Sequence, residues 1–180
     1  MSLVEFLTKE VNMDLKVLKD SEIIKLIKEN IISMKDFVDS GICPTCFDNE
    51  HNFLLYGDKK DKLLYEDDLF ECFLVGNPRA NGHTAISTKK HYKDMLEIDD
   101  EICQKIFVLA KRTMIAIKRV YKCESVYLCT MCDGPMNHFH LQLIPRYSFE
   151  KRGSKNFVKD RMQYIEDKEK INKIREILKK

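Results

Sequence analysis

The sequence has no apolar run near the ~18–20 residues that a membrane-spanning helix needs. Its first ten residues, MSLVEFLTKE, contain Glu5 and Glu10, which interrupt any signal-peptide core. Secretion and membrane insertion are therefore not expected. No internal repeat or low-complexity tract occurs. Neither charge dominates: 31 Lys+Arg against 29 Asp+Glu give a net charge of +2. A whole-molecule basic field for nucleic acid is not indicated. A disulfide framework is also missing, because the seven cysteines are odd in number and lack small-scaffold spacing. Thiols or a metal site in a reducing cytoplasm fit better. Histidine is scarce, at five residues, so each one bears on function.

What is present suits one globular domain. The chain has 180 residues, 44% hydrophobic and 33% charged. Charge is uneven along it. Residues 150–180 carry +5 and the remainder −3. A charged terminal helix is usually a solvated face, so nucleic acid is not expected as a partner.

Residues 1–42 read as an amphipathic helical extension. Ser21 caps one expected helix, with Ile23, Ile24, Leu26 and Ile27 as its stripe. Ser33 caps a second that ends at Gly41. Cys43-Pro44-Thr45-Cys46 reads as a turn. Strands are expected around Phe53–Tyr56, with a turn at Gly57-Asp58, and then at Leu63–Tyr65, Phe70–Val75 and His83–Thr88. Asp99 or Asp100 opens the longest helix, its apolar residues Ile102, Ile106, Leu109, Ala110, Ile117 and Val120 spaced three and four apart. Ser125–Cys132 and His138–Ile144 read as two strands, the second stopped by Pro145. Residues 157–180 read as a charged helix. The expected fold is α+β, a mostly antiparallel sheet with helices on one side. Its parts are an extension at 1–42, a main domain at 43–150 and a basic helical tail at 151–180.

Asn137-His138-Phe139-His140-Leu141-Gln142-Leu143 holds the most chemistry. Strand side chains alternate faces, so His138, His140 and Gln142 share one face while Phe139, Leu141 and Leu143 face the core. Spacing alone leaves open a sheet face that merely carries polar groups. Cys43-x-x-Cys46 is half of a tetrahedral zinc site. Cys129-x-x-Cys132 has the same spacing, but an offset of three along a strand sends side chains to opposite faces. His91 and His138 are the other candidates, giving a Cys₂His₂ set. Two buried thiols and two unrelated imidazoles remain the simpler alternative.

Gly82-His83-Thr84-Ala85-Ile86-Ser87-Thr88-Lys89-Lys90-His91 resembles the GHT(L/V)VIPK-x-H segment of the histidine triad (HIT) superfamily. His138-Phe-His140-Leu-Gln142-Leu-Ile resembles its triad motif. Tyr65-Glu66-Asp67-Asp68 and Pro78 fit its N-terminal half, so the resemblance covers roughly Cys43 to Arg146. It implies a two-layer domain that commonly dimerises. It implies structural zinc, one per chain, on Cys43, Cys46, His91 and His138. It implies a nucleotide substrate attacked by His140 to give a nucleotidyl-histidine.

Three features depart from the family pattern. Gln142 replaces the third histidine, which resembles the nucleotidyltransferase and dinucleoside polyphosphate phosphorylase branches; hydrolases usually carry His. Val75 stands where a ribose-contacting acid or amide is usual. The loop Asp133–Asn137 is short and lacks the usual phosphate contacts, leaving Asn137 and Thr130 as candidate substrate-binding residues, with Arg152 or Lys155 as further candidates. A hydrolase and a weakly catalytic nucleotide-binding protein are the two alternatives.

Overall fold

The computed structural model describes residues 14–51, 59–132, 134, 136–153 and 159–179. The chain divides into two compact units, residues 1–56 and 57–180.

In the first unit, Leu15–Val17 forms a single 3₁₀ turn, followed by helices α1 (Asp20–Lys28), α2 (Met34–Asp39) and α3 (Pro44–Glu50). The start of α1 differs from expectation. Its N-cap is Lys19, and Ser21 lies inside the helix. Glu22 explains this, because its carboxylate accepts from the Lys19 N–H at 2.9 Å and so satisfies an end donor. Ser33 does cap α2, and Gly41 follows that helix at φ +64°. Leu15, Ile23, Phe37 and Phe47 form a small core of their own, with Phe37 edge-on to Phe47 at 4.9 Å. Cys43-Pro44-Thr45-Cys46 is the first turn of α3 rather than an isolated turn. Proline serves either purpose, since its fixed φ suits position N1 of a helix.

The second unit begins with α4 (Lys59–Lys62) and holds a five-stranded sheet. Its strands are β1 (Leu63–Glu66), β2 (Phe70–Leu74), β3 (Thr84–Thr88), β4 (Ser125–Cys129) and β5 (His140–Arg146), in the order β1-β2-β3-β5-β4. Every neighbouring pair is antiparallel. The strand expected around Phe53–Tyr56 and the turn at Gly57-Asp58 lie outside the described residues. Helix α5 (Asp100–Tyr121) links β3 to β4, and β5 fills the slot between those two strands. β5 therefore has a neighbour on each side, which makes it a rigid base for function.

The sheet's core face carries Phe70, Cys72, Leu74, Ile86, Leu141 and Leu143. Ile106, Leu109, Ala110 and Ile117 of α5 cover it. Burying each large apolar side chain is worth about 1.5–3 kcal/mol before entropy is subtracted. Among its described residues the charged tail is helical only over α6 (Lys168–Leu178), and residues 159–167 are not helical. This helix is not a solvated appendage, for Ile171, Ile174 and Leu178 are buried in the same core. Arg175 fastens it to β1 by donating to the Leu63 carbonyl at 2.8 Å.

Pro145 does not stop β5. It lies inside the strand and pairs with Val126. The β3 pairing ends at Leu143, so beyond that point β5 is an edge, where proline is tolerated. His138 lies just before the strand rather than in it. Among the described residues no helix is long and apolar enough to cross a membrane.

Candidate active site and metal ligands

Alternation on β5 places His140 and Gln142 on the face opposite the core, and cross-strand pairing sets their neighbours. Ser87 lies opposite His140, while Ala85 and Cys129 lie opposite Gln142. Glu71 and Phe73 of β2 extend the same face. There Lys59 pairs with Glu71 at 2.6 Å, both side chains nearly fully buried, and Lys59 Nζ also lies 4.7 Å from the centre of the Phe73 ring.

His140 is half-buried and its ring is oriented from both sides. Nδ1 lies 2.9 Å from the His138 carbonyl. A carbonyl only accepts, so Nδ1 carries the proton and Nε2 carries the lone pair. The Gln142 amide nitrogen donates to that Nε2 at 3.3 Å. His140 is thus a neutral imidazole with a basic nitrogen beside an amide donor.

His138 is locked in the opposite sense. Its Nε2 donates to the Thr88 carbonyl at 2.7 Å, with the Thr88 hydroxyl 3.3 Å away. That leaves Nδ1 as its ligating nitrogen. A carbonyl on the second ring nitrogen is the usual arrangement for a metal-binding histidine. The exposed His91 meets the His138 ring edge-on at 5.1 Å, and their ligating nitrogens lie within 4.8 Å of each other. In the first unit, the Cys43 and Cys46 sulfurs also lie within 4.8 Å of each other. Cys43 is the N-cap of α3 and Cys46 its third residue, positions that face one another across a helix end. The hydrogen bond with Cys43 holds the Cys46 thiol protonated, and burial adds to this. Each pair has the chemistry and the separation of half a zinc site.

The other candidates make contacts of their own. The Thr130 hydroxyl contacts the Cys132 sulfur at 3.1 Å, and the Asn137 amide donates to the Lys93 carbonyl at 3.0 Å. Arg152 pairs with Glu124 at 3.3 Å, and Lys155 lies outside the described residues.

His83 was not singled out by spacing, yet it is buried behind Gln142. Its Nδ1 accepts from the Arg79 N–H at 3.0 Å, so its proton sits on Nε2. Burial pushes its pKa down to about 3; Arg161, Arg79 and Lys159 reinforce this, while a hydrogen bond with Gln142 opposes it. The preceding Gly82 (φ +80°) packs against Tyr121 at the end of α5; a Cβ there would stand 2.7 Å from a ring carbon. That contact sets the path of the loop into β3.

A family model for the HIT domain matches residues 57–149, just over half of the chain. The chain belongs to the HIT domain family. An uncharacterised HIT-like protein of Methanocaldococcus jannaschii is 33% identical over 97 residues, 52% of this chain and 75% of that one. A HIT-like protein of Borreliella burgdorferi is 32% identical over 102 residues, 51% of this chain and 73% of that one. Solved structures share the fold. A zinc-bound histidine triad family protein from Mycobacterium smegmatis superimposes with a TM-score of 0.59 at 20% identity, covering 76% of this chain and 93% of that one. A hypothetical histidine triad nucleotide-binding protein from Sulfolobus tokodaii gives 0.58 at 21% identity, covering 76% and 92%. The α+β HIT fold is the one expected from the sequence.

Proposed function

We propose that this HIT protein is a nucleotidyl-transferring or phosphorolytic enzyme that acts on phosphoanhydride bonds through His140. The observation that carries this reading is the oriented imidazole: Nδ1–H on the His138 carbonyl, and Nε2 beside the Gln142 amide.

The reaction runs in two displacements. The His140 Nε2 lone pair attacks the α-phosphorus of a bound nucleotide. The bond from phosphorus to the bridging oxygen breaks, and the leaving phosphate departs with the electron pair. The ring gains positive charge, and the His138 carbonyl stabilises it through Nδ1–H. The Gln142 amide, displaced from Nε2 by the new N–P bond, donates to a non-bridging phosphate oxygen. An acceptor oxygen then attacks phosphorus and the N–P bond breaks.

Gln142 selects the leaving group. An amide has no proton to give up, so it cannot act as a general acid. The leaving group must depart unprotonated, and a phosphate (second pKa about 6) does so readily near neutral pH. An alkoxide or an amine does not. This favours nucleoside polyphosphates or dinucleoside polyphosphates as substrates.

Cys43, Cys46, His91 and His138 would hold one structural zinc per chain. The donor types fit, and so does the anchored tautomer of His138. A bound zinc would fix His138, whose carbonyl in turn orients His140. The zinc-bound relative supports this reading. The division into an extension at 1–42, a catalytic part at 43–150 and a tail at 151–180 belongs to the same proposal. So does a homodimer, for which the edge strand β4 offers backbone pairing; a sedimentation mass of two chains supports it, and one chain removes it.

The test is incubation of the zinc-loaded protein with diadenosine tetraphosphate, with and without inorganic phosphate. ADP and ATP formed only when phosphate is present support phosphorolysis. Nucleotides released without phosphate make water the acceptor and replace this reading with a hydrolase. No product replaces it with a nucleotide-binding protein.

A further inference from the structure

The loop between β2 and β3 is strapped by a segment eighty residues further along the chain. The Met162 N–H donates to the Pro78 carbonyl at 2.8 Å. Arg161 Nη1 donates to the Asn77 carbonyl at 2.8 Å, and Arg79 Nη1 donates to the Lys159 carbonyl. Two guanidinium groups are thereby fixed from the two sides of one seam.

Their charges are not compensated. Neither Arg79 nor Arg161 has a carboxylate partner among the described residues. Lys159 differs, for it pairs with Glu150. A guanidinium carries five N–H donors, and here carbonyls use a small part of them. Arg79 Nε is buried without a hydrogen-bond partner. Partial desolvation and the neighbouring Arg79 hold Arg161 below the usual arginine pKa.

The seam lies at the Gln142 end of the site. The Arg79 backbone N–H bonds His83, and His83 adjoins Gln142. Arg79 also acts on Cys129, which pairs with Gln142 across the ladder. Two further polar side chains at this end, His83 and Gln142, are buried and hydrogen-bond with each other. His140 lies one step along β5, beyond Gln142.

We propose that Arg79 and Arg161 form a polyphosphate subsite, which holds the phosphates beyond the one that His140 attacks. The planar fork of arginine matches phosphate oxygens two at a time, and a polyanion relieves the repulsion between the two cations. The ligand class is a chain of at least two phosphates next to the attacked one, whether leaving group or acceptor. The proposal rests on the reading of His140 as nucleophile for its role in turnover; the binding of polyphosphate does not.

Calorimetric titration of the full-length, zinc-loaded protein with inorganic tripolyphosphate and with AMP tests it. Tripolyphosphate affinity falls about tenfold in Arg161→Gln and further in the Arg79→Gln/Arg161→Gln double variant. AMP affinity changes less than about twofold. Arg161 is exposed, so its variant keeps the fold, which circular dichroism checks. Arg161→Lys keeps the charge without the fork and loses less than Arg161→Gln. Absent tripolyphosphate binding in the parent protein, unchanged affinity in the double variant, or an equal loss for AMP overturns the subsite. His140→Ala separates the two proposals, because it retains tripolyphosphate binding whether or not His140 is the nucleophile.

Discussion

The two ends of β5 carry opposite chemistry. At the His138 end, His138 leans on the Thr88 carbonyl, and it and His91 present ligating nitrogens, as a cation requires. At the Gln142 end, the guanidinium groups of Arg79 and Arg161 present N–H donors, as an anion requires. His140 stands between them and is touched from both sides, by the His138 carbonyl and by the Gln142 amide. A single strand thus places the proposed nucleophile between a cation-seeking end and an anion-seeking end, and the two should fail in different ways.

The largest effect is expected in the middle. His140→Ala should lower turnover by about 10³-fold or more, measured as kcat on a nucleoside polyphosphate, with fold and zinc content unchanged. Substitution of Gln142 comes next. Gln142→His adds a general acid, which should raise activity on ester or phosphoramidate bonds relative to anhydrides by about 10²-fold. An unchanged preference would show that Gln142 does not select the leaving group.

Damage to the cation-seeking end should appear first as lost metal and lost stability. Cys43→Ser is expected to abolish one zinc per chain by elemental analysis. Its thermal midpoint should drop by about 2–4 °C for each kcal/mol lost. A parent protein that folds without metal from a zinc-replete preparation would remove the zinc proposal.

The last effect belongs to His83 and is visible only against pH. Its pKa of about 3 lies below the ordinary histidine value, so it is neutral in the folded state and protonated in the unfolded state between them. Folding is therefore undiminished above the ordinary value and loses stability as pH falls towards 3. The slope is about 1.4 kcal/mol per pH unit for one proton. Urea unfolding of the parent and of His83→Asn should diverge with that slope below pH ~6.5. Parallel curves would show that His83 takes up its proton in the folded state.

These two ends were not equally legible in the sequence. His138, His140 and Gln142 declare themselves because a period of two separates them from Phe139, Leu141 and Leu143, which are all buried. Cys43-x-x-Cys46 is visible as spacing, although its turn proves to be a helix start, since proline suits both. The core of α5 follows from its three-and-four repeat. Boundaries are less legible: His138 falls outside β5 and Pro145 inside it, because strand ends depend on which neighbours remain to pair. The arginine end is hidden for a stronger reason. Arg79 and Arg161 are brought together by backbone bonds between a loop and a distant non-helical segment, and neither has a periodic pattern. The tail's charge likewise masks Ile171, Ile174 and Leu178, whose spacing buries α6 in the main core.

The most direct test of the central claim is to trap the covalent intermediate. The protein is mixed with a nucleoside polyphosphate in the absence of acceptor, quenched at alkaline pH and analysed by intact-mass and peptide mass spectrometry. The account predicts one nucleotidyl group per chain, on the peptide that contains His140, and none in His140→Ala. Steady turnover with no adduct, or an adduct on any other residue, would contradict it.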